Sequence, residues 1–561
     1  MIRFLLVLLV ACAPDARGPG VDVDRVMTHA FALAGSLGAR PGNTDASRAA
    51  AEYIATQLPV ERDEVGDVEL PDIEVLGTVH RRAHRAHSSD PNLLVRFGPP
   101  GKALLIMAHY DTVRGSPGAI DNAAAVGVLI ELAKVLGESP QPVILMFTAN
   151  EEIGLVGAEA FAERRGSEIA FAIALDLIGG DGDLVVNGAS TLIGDAELAW
   201  LARGADRAGV TLRAPLAHRV VSRWWPQAER SDHGPFTRRG IRAMHLYNRG
   251  SDGDWIDLAY HSAEDVPARV RRASVDELGR VLYALTREPI PAHDGDGFWL
   301  PLASNTIVPR WALLALCLAC YGAIALLVTT RRRREGRGLG LLVAIPCYAA
   351  GAASIILLEH LLGDGHPAPW LHAPLRWLIG EFLLLAGIVG LLSRFVARFA
   401  PWGGERRYLA VSVISLLAIG TAWLVAGAAE LAWIWLVPAL VAALSPRLGR
   451  FRSLTLVPLL LPLALVLAPT QVREAAWNGF LPPAVPFGVW IAILGFPSFG
   501  GVAWYLRARE RSGALGTLVL PLGCLLAMII GVVLVGSGAP TCSAAQFHGL
   551  GLACELTAGV R

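Results

Sequence analysis

The apolar positions along this 561-residue chain follow two different patterns. Between residues 21 and 300, apolar segments of strand length alternate with longer segments whose apolar positions recur at helical spacing. Between residues 311 and 536, long apolar runs follow one another, with short arginine-rich pieces between them. The pattern predicts two domains over these ranges, preceded by a separate segment at 1–20 and followed by a polar tail at 537–561.

The first domain is predicted to have an α/β fold. Apolar strands are predicted at 67–78, 92–97, 103–108, 143–149, 169–175 and 183–187, and helices at 122–137, 154–165 and 195–208. Strands that alternate with helices indicate a mainly parallel mixed sheet flanked by helices. The polar segment 80–90 is predicted to be a surface loop. Because ligands of such sheets bind beyond the carboxyl ends of the strands, polar residues at those positions are the first candidates for function.

The second domain is predicted to be an all-α, multi-pass transmembrane domain. A helix needs about 20 apolar residues to cross a bilayer, and residues 311–536 contain about eight runs of that kind. Arginines concentrate in alternate connecting pieces such as residues 331–334, which predicts that these pieces are cytoplasmic. Residues 1–20 have the short apolar run of a signal peptide or an anchor. The expected location is therefore a membrane, with the bacterial inner membrane favoured and the first domain extracytoplasmic.

One acid stands out in the second domain, because Glu381 lies well inside an apolar run. Carriers use ionisable residues at such positions, whereas a position near the end of a helix is the simpler interpretation. The sequence therefore favours an anchoring role for this domain, with the lipid bilayer as a partner.

Composition limits the possible partners and the possible metal chemistry. Hydrophobic residues make up 53% of the chain, and the mean hydropathy is +0.46, which is high for an ordinary soluble protein. The formal net charge is +0 at pH 7, which argues against nucleic acid as a partner because phosphate binding needs a basic surface. No cysteine lies between residues 13 and 316, so a metal site there must use His, Asp and Glu.

Polar side chains of the kind that bind metals follow the predicted strands. His109 and Asp111 follow one apolar strand, Glu151 and Glu152 follow another, and Asp176 follows a third. Two adjacent carboxylates at the end of a buried strand raise each other's pKa, and a metal ion relieves this repulsion. One glutamate would then bind the metal while the other transfers a proton.

Two further candidates lie outside the strand ends, namely Asp121 at the start of an Ala-rich helix and His261 before a short helix. Taken alone, Asp121 is more simply interpreted as a helix N-cap, and the two glutamates as the solvated start of a helix. The order His–Asp–Glu–Glu–Asp–His along the chain favours instead a site for two zinc ions with one bridging carboxylate.

Six segments resemble the motifs of the M28 family of zinc aminopeptidases, in the family's order: AHYDTV, GAIDNAAAVG, TANEEIGLVGAEAF, ALDLIG, SDHGPF and YHSAEDV. The resemblance covers residues 90–270, and the layout resembles the branch of endoplasmic-reticulum metallopeptidases and vacuolar membrane proteases. It implies the zinc exopeptidase fold. It also implies hydrolysis of N-terminal residues from peptide substrates outside the cytoplasm, by a water that metal ions activate.

The resemblance implies two zinc ions and a ligand set for each. His109, Asp121 and Asp176 would hold one ion. Asp121, Glu152 and His261 would hold the other, so that Asp121 bridges the two.

The resemblance also implies roles for residues that do not bind the metals. Glu151 would be the general base, and Asp111 would orient the imidazole of His109. Asp232 and His233 would lie on the substrate side of the site. In family members the peptide bond after the bridging aspartate is often cis, which predicts a cis bond between Asp121 and Asn122.

Three other functions are weighed against this one. The first is a catalytically inactive M28-like scaffold or receptor, which the complete set of ligands and the base disfavour. The second is a single-zinc acyltransferase such as a glutaminyl cyclase, which the complete second ligand set disfavours. The third is a transport or assembly protein, for which a charge pair within the apolar runs is expected and none is evident.

Overall fold

The computed structural model describes most of the first region and parts of the second. The described residues are 20–71, 73–75, 78–80, 85–187, 193–213, 231–248, 259–292, 310–329, 339–362, 374–396, 405–425, 429–444 and 521–535. The predicted signal peptide or anchor, apart from Gly20, lies outside these residues, as do the tail at 537–561 and the apolar runs between 445 and 520.

A mixed sheet forms the centre of the first region. The described strands are β1 (Glu61–Asp63), β2 (Gly66–Glu69), β3 (Ile73–Val75), β4 (Thr78–His80), β5 (Arg85–Ser88), β6 (Asn92–Phe97), β7 (Ala103–His109), β8 (Val143–Thr148), β9 (Ile169–Leu175), β10 (Leu184–Asn187), β11 (Leu212–Arg213) and β12 (Ala243–Asn248). Eight of them form one sheet in the order β1-β6-β8-β7-β9-β12-β10-β11. The central strands β8, β7, β9 and β12 are parallel, while β6 and β10 pair with them antiparallel.

The central strands are apolar because helices cover both faces of the sheet. Every residue of β7 and β8 is buried, as is typical of parallel strands in α/β proteins. Side chains alternate between the two faces, so Leu104 and Ile106 join one core cluster, whereas Leu105 and Met107 join another. This rigid sheet fixes the positions of the residues that follow its strands.

Seven helices of the first region are described: α1 (Val23–Ala30), α2 (Asp45–Gln57), α3 (Ala124–Leu136), α4 (Val156–Arg165), α5 (Asp195–Ala208), α6 (Gly234–Arg238) and α7 (Arg272–Thr286). A π-helical segment, Phe31–Leu37, continues α1, and 3-10 turns occupy Gly166–Glu168 and Pro267–Arg269. Asp22 and Thr44 begin α1 and α2, because each side chain accepts a hydrogen bond from a backbone N–H of the first turn. The apolar helix α3 packs against α1 and α7 and is buried along most of its length.

The structure confirms the mainly parallel mixed sheet flanked by helices and corrects three of its details. The predicted strand 67–78 consists of two pieces, β2 and β3, which pair with β5 and β4 in separate small sheets. The segment 80–90, predicted as a loop, therefore contains a strand. The sequence also did not predict β12, whose apolar residues alternate with His245 and Tyr247, although it lies in the middle of the sheet.

The second region is helical where it is described. Its helices are α8 (Arg310–Thr329), α9 (Leu339–Leu362), α10 (Pro374–Val396), α11 (Glu405–Val425), α12 (Ala429–Leu444) and α13 (521–535). α12 packs against α8 and α11, and α9 packs against α10.

The transmembrane part of the predicted fold class is wrong. Crossing a bilayer requires about 20 predominantly apolar residues within one helix. Within the described ranges, no helix combines enough length with enough apolar character to span a membrane.

Candidate active site

The carboxyl ends of three parallel strands bring the predicted chemical residues together at one edge of the sheet. His109 is the last residue of β7, Glu151 and Glu152 follow β8, and Asp176 follows β9 directly. His109 and Glu151 are buried, and the other two are only partly accessible. Adjacent parallel strands end side by side, so these residues meet although β7 and β9 are far apart in sequence.

Asp121 lies between the two histidines of the predicted site. Its Oδ1 atom is 3.1 Å from His109 Nε2, and its Oδ2 atom is 3.3 Å from His261 Nε2. Asp176 Oδ1 is 3.4 Å from His109 Nε2, and Glu152 Oε2 is 3.2 Å from His261 Nε2. We call His109, Asp121 and Asp176 the inner half-site, and Asp121, Glu152 and His261 the outer half-site. In each half-site the three ligand-type atoms lie within 4.8 Å of one another.

The turn that carries Asp121 has an unusual backbone geometry, and Asp121 does not cap the helix that follows it. The Asp121–Asn122 peptide bond is cis, as the resemblance predicts. The N-cap of α3 is Ala123, and no side chain caps that helix, so the interpretation of Asp121 as an N-cap is wrong. Asp265 instead holds this turn, because its two carboxylate oxygens accept hydrogen bonds from Ile120 N at 2.8 Å and Asp121 N at 3.1 Å. Asp265 lies in the last of the six motifs, but its role was not apparent from the sequence.

Asp111 contacts the loop of the two glutamates as well as His109. His109 Nδ1 lies 3.1 Å from the backbone carbonyl oxygen of Asp111 and 3.7 Å from its carboxylate. That carboxylate accepts hydrogen bonds from Glu151 N at 3.0 Å and from Glu152 N at 3.2 Å. Asp111 is fully buried, so its carboxylate links the end of β7 to the start of the glutamate loop.

Burial and mutual repulsion raise the pKa values of the two glutamates. Burial raises the pKa of Glu151 well above its usual value, and the charge of Glu152 raises it further. Burial, together with the charge of Asp121, raises the pKa of Glu152 to about 7. The pKa of Asp121 is instead well below its usual value, because the hydrogen bonds from His109 and His261 outweigh its burial.

The same negative charges raise the pKa values of the two histidines, because they stabilise the protonated imidazole. Burial lowers the pKa of His261, but hydrogen bonds with Asp121 and Glu152 outweigh it and bring the value to about 10. Burial also lowers the pKa of His109, but the charge of Glu151 and other nearby carboxylates raises it well above 6.5. The arrangement therefore places several carboxylates around two imidazoles, and such a concentration of negative charge favours the binding of a cation.

A second polar cluster lies beside the inner half-site, on the face of the sheet that α6 covers. Thr148 donates a hydrogen bond to Asp232, and burial raises the pKa of Asp232 to about 7. His233, His245 and Tyr247 stack in sequence, with ring centroids 5.5 Å and 5.3 Å apart. The sequence-predicted Asp232 and His233 are thus buried close to the site, and His245 was missed because its strand was missed.

A fully buried arginine supports both half-sites and was also missed. Arg40 donates to the carbonyl oxygens of Tyr110 at 3.0 Å, Pro117 at 2.7 Å and Gly118 at 3.3 Å. It also donates to the carbonyl oxygens of Leu33 and Gly38. Tyr110 directly follows His109, and Gly118 opens the turn that carries Asp121, so one side chain joins the two loops. A single arginine in the segment GARPG gives no sequence signal for this role.

Comparison with known proteins gives matches over the same part of the chain. The family model described as peptidase family M28 matches residues 92–286. Aminopeptidase YwaD of Bacillus subtilis is 28% identical, over 33% of this chain and 40% of that protein. A vacuolar membrane protease of Clavispora lusitaniae is 28% identical, over 38% of this chain and 18% of that protein. This chain thus spans less than half the length of these relatives.

A zinc aminopeptidase is also among the structural neighbours of this chain. A zinc aminopeptidase from Bacillus subtilis superposes with a TM-score of 0.38 and 16% identity, over 48% of this chain and 95% of that chain. The family match and the six motifs coincide with the described sheet and its carboxyl edge. Through residues 92–286, this chain carries a peptidase family M28 domain.

Proposed function

We propose that this protein is a zinc metalloaminopeptidase that removes N-terminal residues from peptides. The observation that carries the proposal is the position of Asp121, whose two carboxylate oxygens face two different histidines. An aspartate with a purely structural role needs only a hydrogen-bond partner for each carboxylate oxygen. Here each oxygen faces an imidazole, and each imidazole also faces a second carboxylate, which is the arrangement expected around two metal ions. The names of the aminopeptidase relatives support the same class of reaction.

The donor set fits zinc. Two imidazole nitrogens and carboxylate oxygens are typical zinc ligands, and the region between residues 13 and 316 contains no cysteine that would compete. In addition, Glu152 Oε1 is buried without a hydrogen-bond partner among the described residues, which leaves an acceptor free beside the outer half-site. We propose that the inner half-site holds one zinc ion and the outer half-site a second.

Zinc at these positions would supply Lewis-acid polarisation of the scissile carbonyl and would favour ionisation of the attacking water. Glu151 then acts as the general base, because it is buried, adjacent to both half-sites and has a raised pKa. It accepts a proton from the attacking water and donates it to the leaving amine. Asp111 holds Glu151 in place, because its carboxylate accepts a hydrogen bond from the backbone N–H of Glu151. We place Asp232 and His233 on the substrate side, as the motif SDHGPF suggests.

The test is hydrolysis of a mixed peptide pool by the full-length, zinc-loaded protein, read by mass spectrometry. We expect stepwise loss of N-terminal residues by the wild type and no loss by Glu151→Gln. Zinc content is measured on both proteins, so that a loss of metal is not mistaken for a loss of the base. If neither protein hydrolyses any peptide although zinc is retained, the peptidase proposal is contradicted.

The same experiment separates the remaining candidates. A glutaminyl cyclase would leave the chain length unchanged and remove ammonia from peptides that begin with glutamine. A scaffold would neither bind zinc at the half-sites nor change any peptide. Loss of residues from the carboxyl terminus would assign the M28 domain to a different exopeptidase class.

We further propose that the protein associates with a membrane. The support is the names of relatives that include vacuolar membrane proteases and an endoplasmic reticulum metallopeptidase. The test is flotation of a cell lysate on a density gradient. Recovery of the protein only in the dense, lipid-free fractions would contradict the proposal.

A further inference from the structure

Two acids lie together in the helical region, far along the chain from the M28 domain. Glu359 is near the end of α9, and Glu381 is two turns into α10. The two helices pack closely, since a Cβ atom added at Gly351 of α9 would meet Leu385 and Val389 of α10 at 3.2 Å. The side chains of Glu359 and Glu381 are both buried, with relative exposures of 5% and 1%.

Glu381 has no partner that would stabilise a negative charge. Neither of its carboxylate oxygens has a hydrogen-bond partner among the described residues. A buried carboxylate without a partner is very costly, and such a group takes up a proton or pairs with a cation. An acid that is buried and unsatisfied on both oxygens thus indicates a bound species at this position.

Among the described residues, no cationic side chain lies within hydrogen-bonding distance of the Glu381 carboxylate. α13 crosses α10 at the adjacent residue, where a Cβ atom on Gly380 would meet Gly531 O at 2.8 Å. Cys524 is the only titratable side chain of α13. α9 contributes Tyr348 and Glu359 as buried titratable groups, with His360 exposed, and α10 itself has an exposed Arg376.

We propose that Glu359 and Glu381 form a proton-binding site between α9 and α10, in which the buried pair holds one proton at neutral pH. A proton is favoured over a metal ion because these two acids are the only carboxylates of α9 and α10, and among the described residues Glu381 belongs to no group of three or more side chains that could hold a metal ion. Burial, and then the charge of Glu359, raise the pKa of Glu381 well above its usual value, in agreement with the geometry. The site is independent of the peptidase proposal and makes the helical region responsive to protons.

The test uses a hydrophobic carbodiimide, which forms a stable adduct with protonated carboxyl groups in apolar surroundings. The full-length, zinc-loaded protein is treated across a pH series in buffer free of added metal salts, digested, and the adduct located by mass spectrometry. We expect an adduct on Glu381 at about pH 7 and none on the exposed side chain of Glu264, which serves as the internal control. The adduct should be absent from that position in Glu381→Gln.

A second variant tests the pair rather than the single acid. In Glu359→Gln the repulsion from the neighbouring charge is removed, so the pH at which labelling of Glu381 is half complete should fall by roughly one unit. An unchanged midpoint would overturn the shared site, and Glu381 would be an isolated buried acid. The circular dichroism spectrum and unfolding midpoint of each variant show whether the helices are intact.

Two results would overturn the proton site altogether. If Glu381 is unlabelled at about pH 7 in the wild type, the group is ionised. If sodium or calcium salts prevent a labelling that occurs without them, the ligand is a cation and not a proton.

Discussion

The inner and outer half-sites differ in how the fold supports them. The inner half-site has His109 at the end of a central strand with a side-chain exposure of 1%, whereas His261 of the outer half-site is 35% exposed. His261 also has a positive φ of 54° and lies outside the sheet. The inner half-site thus inherits its geometry from the sheet, while the outer one depends on a loop that Asp265 attaches to the turn of Asp121.

Asp121 is therefore shared by two half-sites that the fold holds with unequal rigidity. Asp121 belongs to both half-sites, and its backbone is held by Asp265 on one side and, through Gly118, by Arg40 on the other. Changes at Asp121 should therefore affect both half-sites, whereas changes in its supports should separate them.

The largest effect is expected for Asp121→Ala. Because both half-sites lose a ligand, peptidase activity should fall further than the roughly 10²–10⁴-fold expected for loss of the general base alone. Zinc per protein, measured by plasma mass spectrometry, should fall for both ions. The exposed acid of α4, Glu163→Ala, is the control and should keep wild-type zinc and activity. Retention of either ion by Asp121→Ala would contradict its bridging position.

A smaller effect, unequal between the halves, is expected for the two histidines in the zinc-free protein. His109→Gln leaves Asp121 and Asp176 buried without their imidazole, which should lower the free energy of unfolding by about 3–5 kcal/mol. His261→Gln at a partly exposed position should lower it by less than about 1 kcal/mol. Urea unfolding of both variants measures the difference. Equal losses would show that the two half-sites are equally supported.

Arg40→Gln should destabilise the fold by about 3 kcal/mol, because several buried carbonyl oxygens lose their donor. The matched control is Arg48→Gln, since Arg48 pairs with Asp45 at the surface and should contribute less than about 1 kcal/mol. Urea unfolding measures both. A loss no larger than that of the control would mean that Arg40 does not join the two loops in solution.

The smallest effect is expected for Asp265→Ala. The turn of Asp121 loses two hydrogen bonds, so zinc affinity of the outer half-site should fall about 10–100-fold, as for other residues that orient ligands. Competition with a chelator should show one weakened ion and one unchanged ion. The neighbouring Glu264→Ala is exposed and should change neither. Equal weakening of both ions would remove the distinction between the halves.

Local patterns in the sequence predicted the sheet and the positions of the chemical residues. His109 ends one apolar strand, and Glu151 and Asp176 follow two others. This is a local signal, because a buried parallel strand needs a continuous apolar run and polar residues resume after its end. The same reasoning failed for β12, because His245 and Tyr247 interrupt its apolar pattern although the sheet buries them. It failed again for the transmembrane prediction, because no helix within the described ranges is both long enough and apolar enough to cross a membrane.

What the sequence alone determined is the inventory of the M28 domain: which side chains are available, their order, and the strands that carry them. What only the tertiary structure decided is their mutual arrangement. Asp121 was ambiguous in sequence because an N-cap and a ligand use the same residue type. Of the two imidazoles that face it, that of His261 comes from a distant part of the chain. Local sequence patterns also do not reveal two supporting residues, Arg40 and Asp265, or the buried pair Glu359 and Glu381. Burial and hydrogen-bond satisfaction depend on contacts across long sequence separations, which no local pattern encodes.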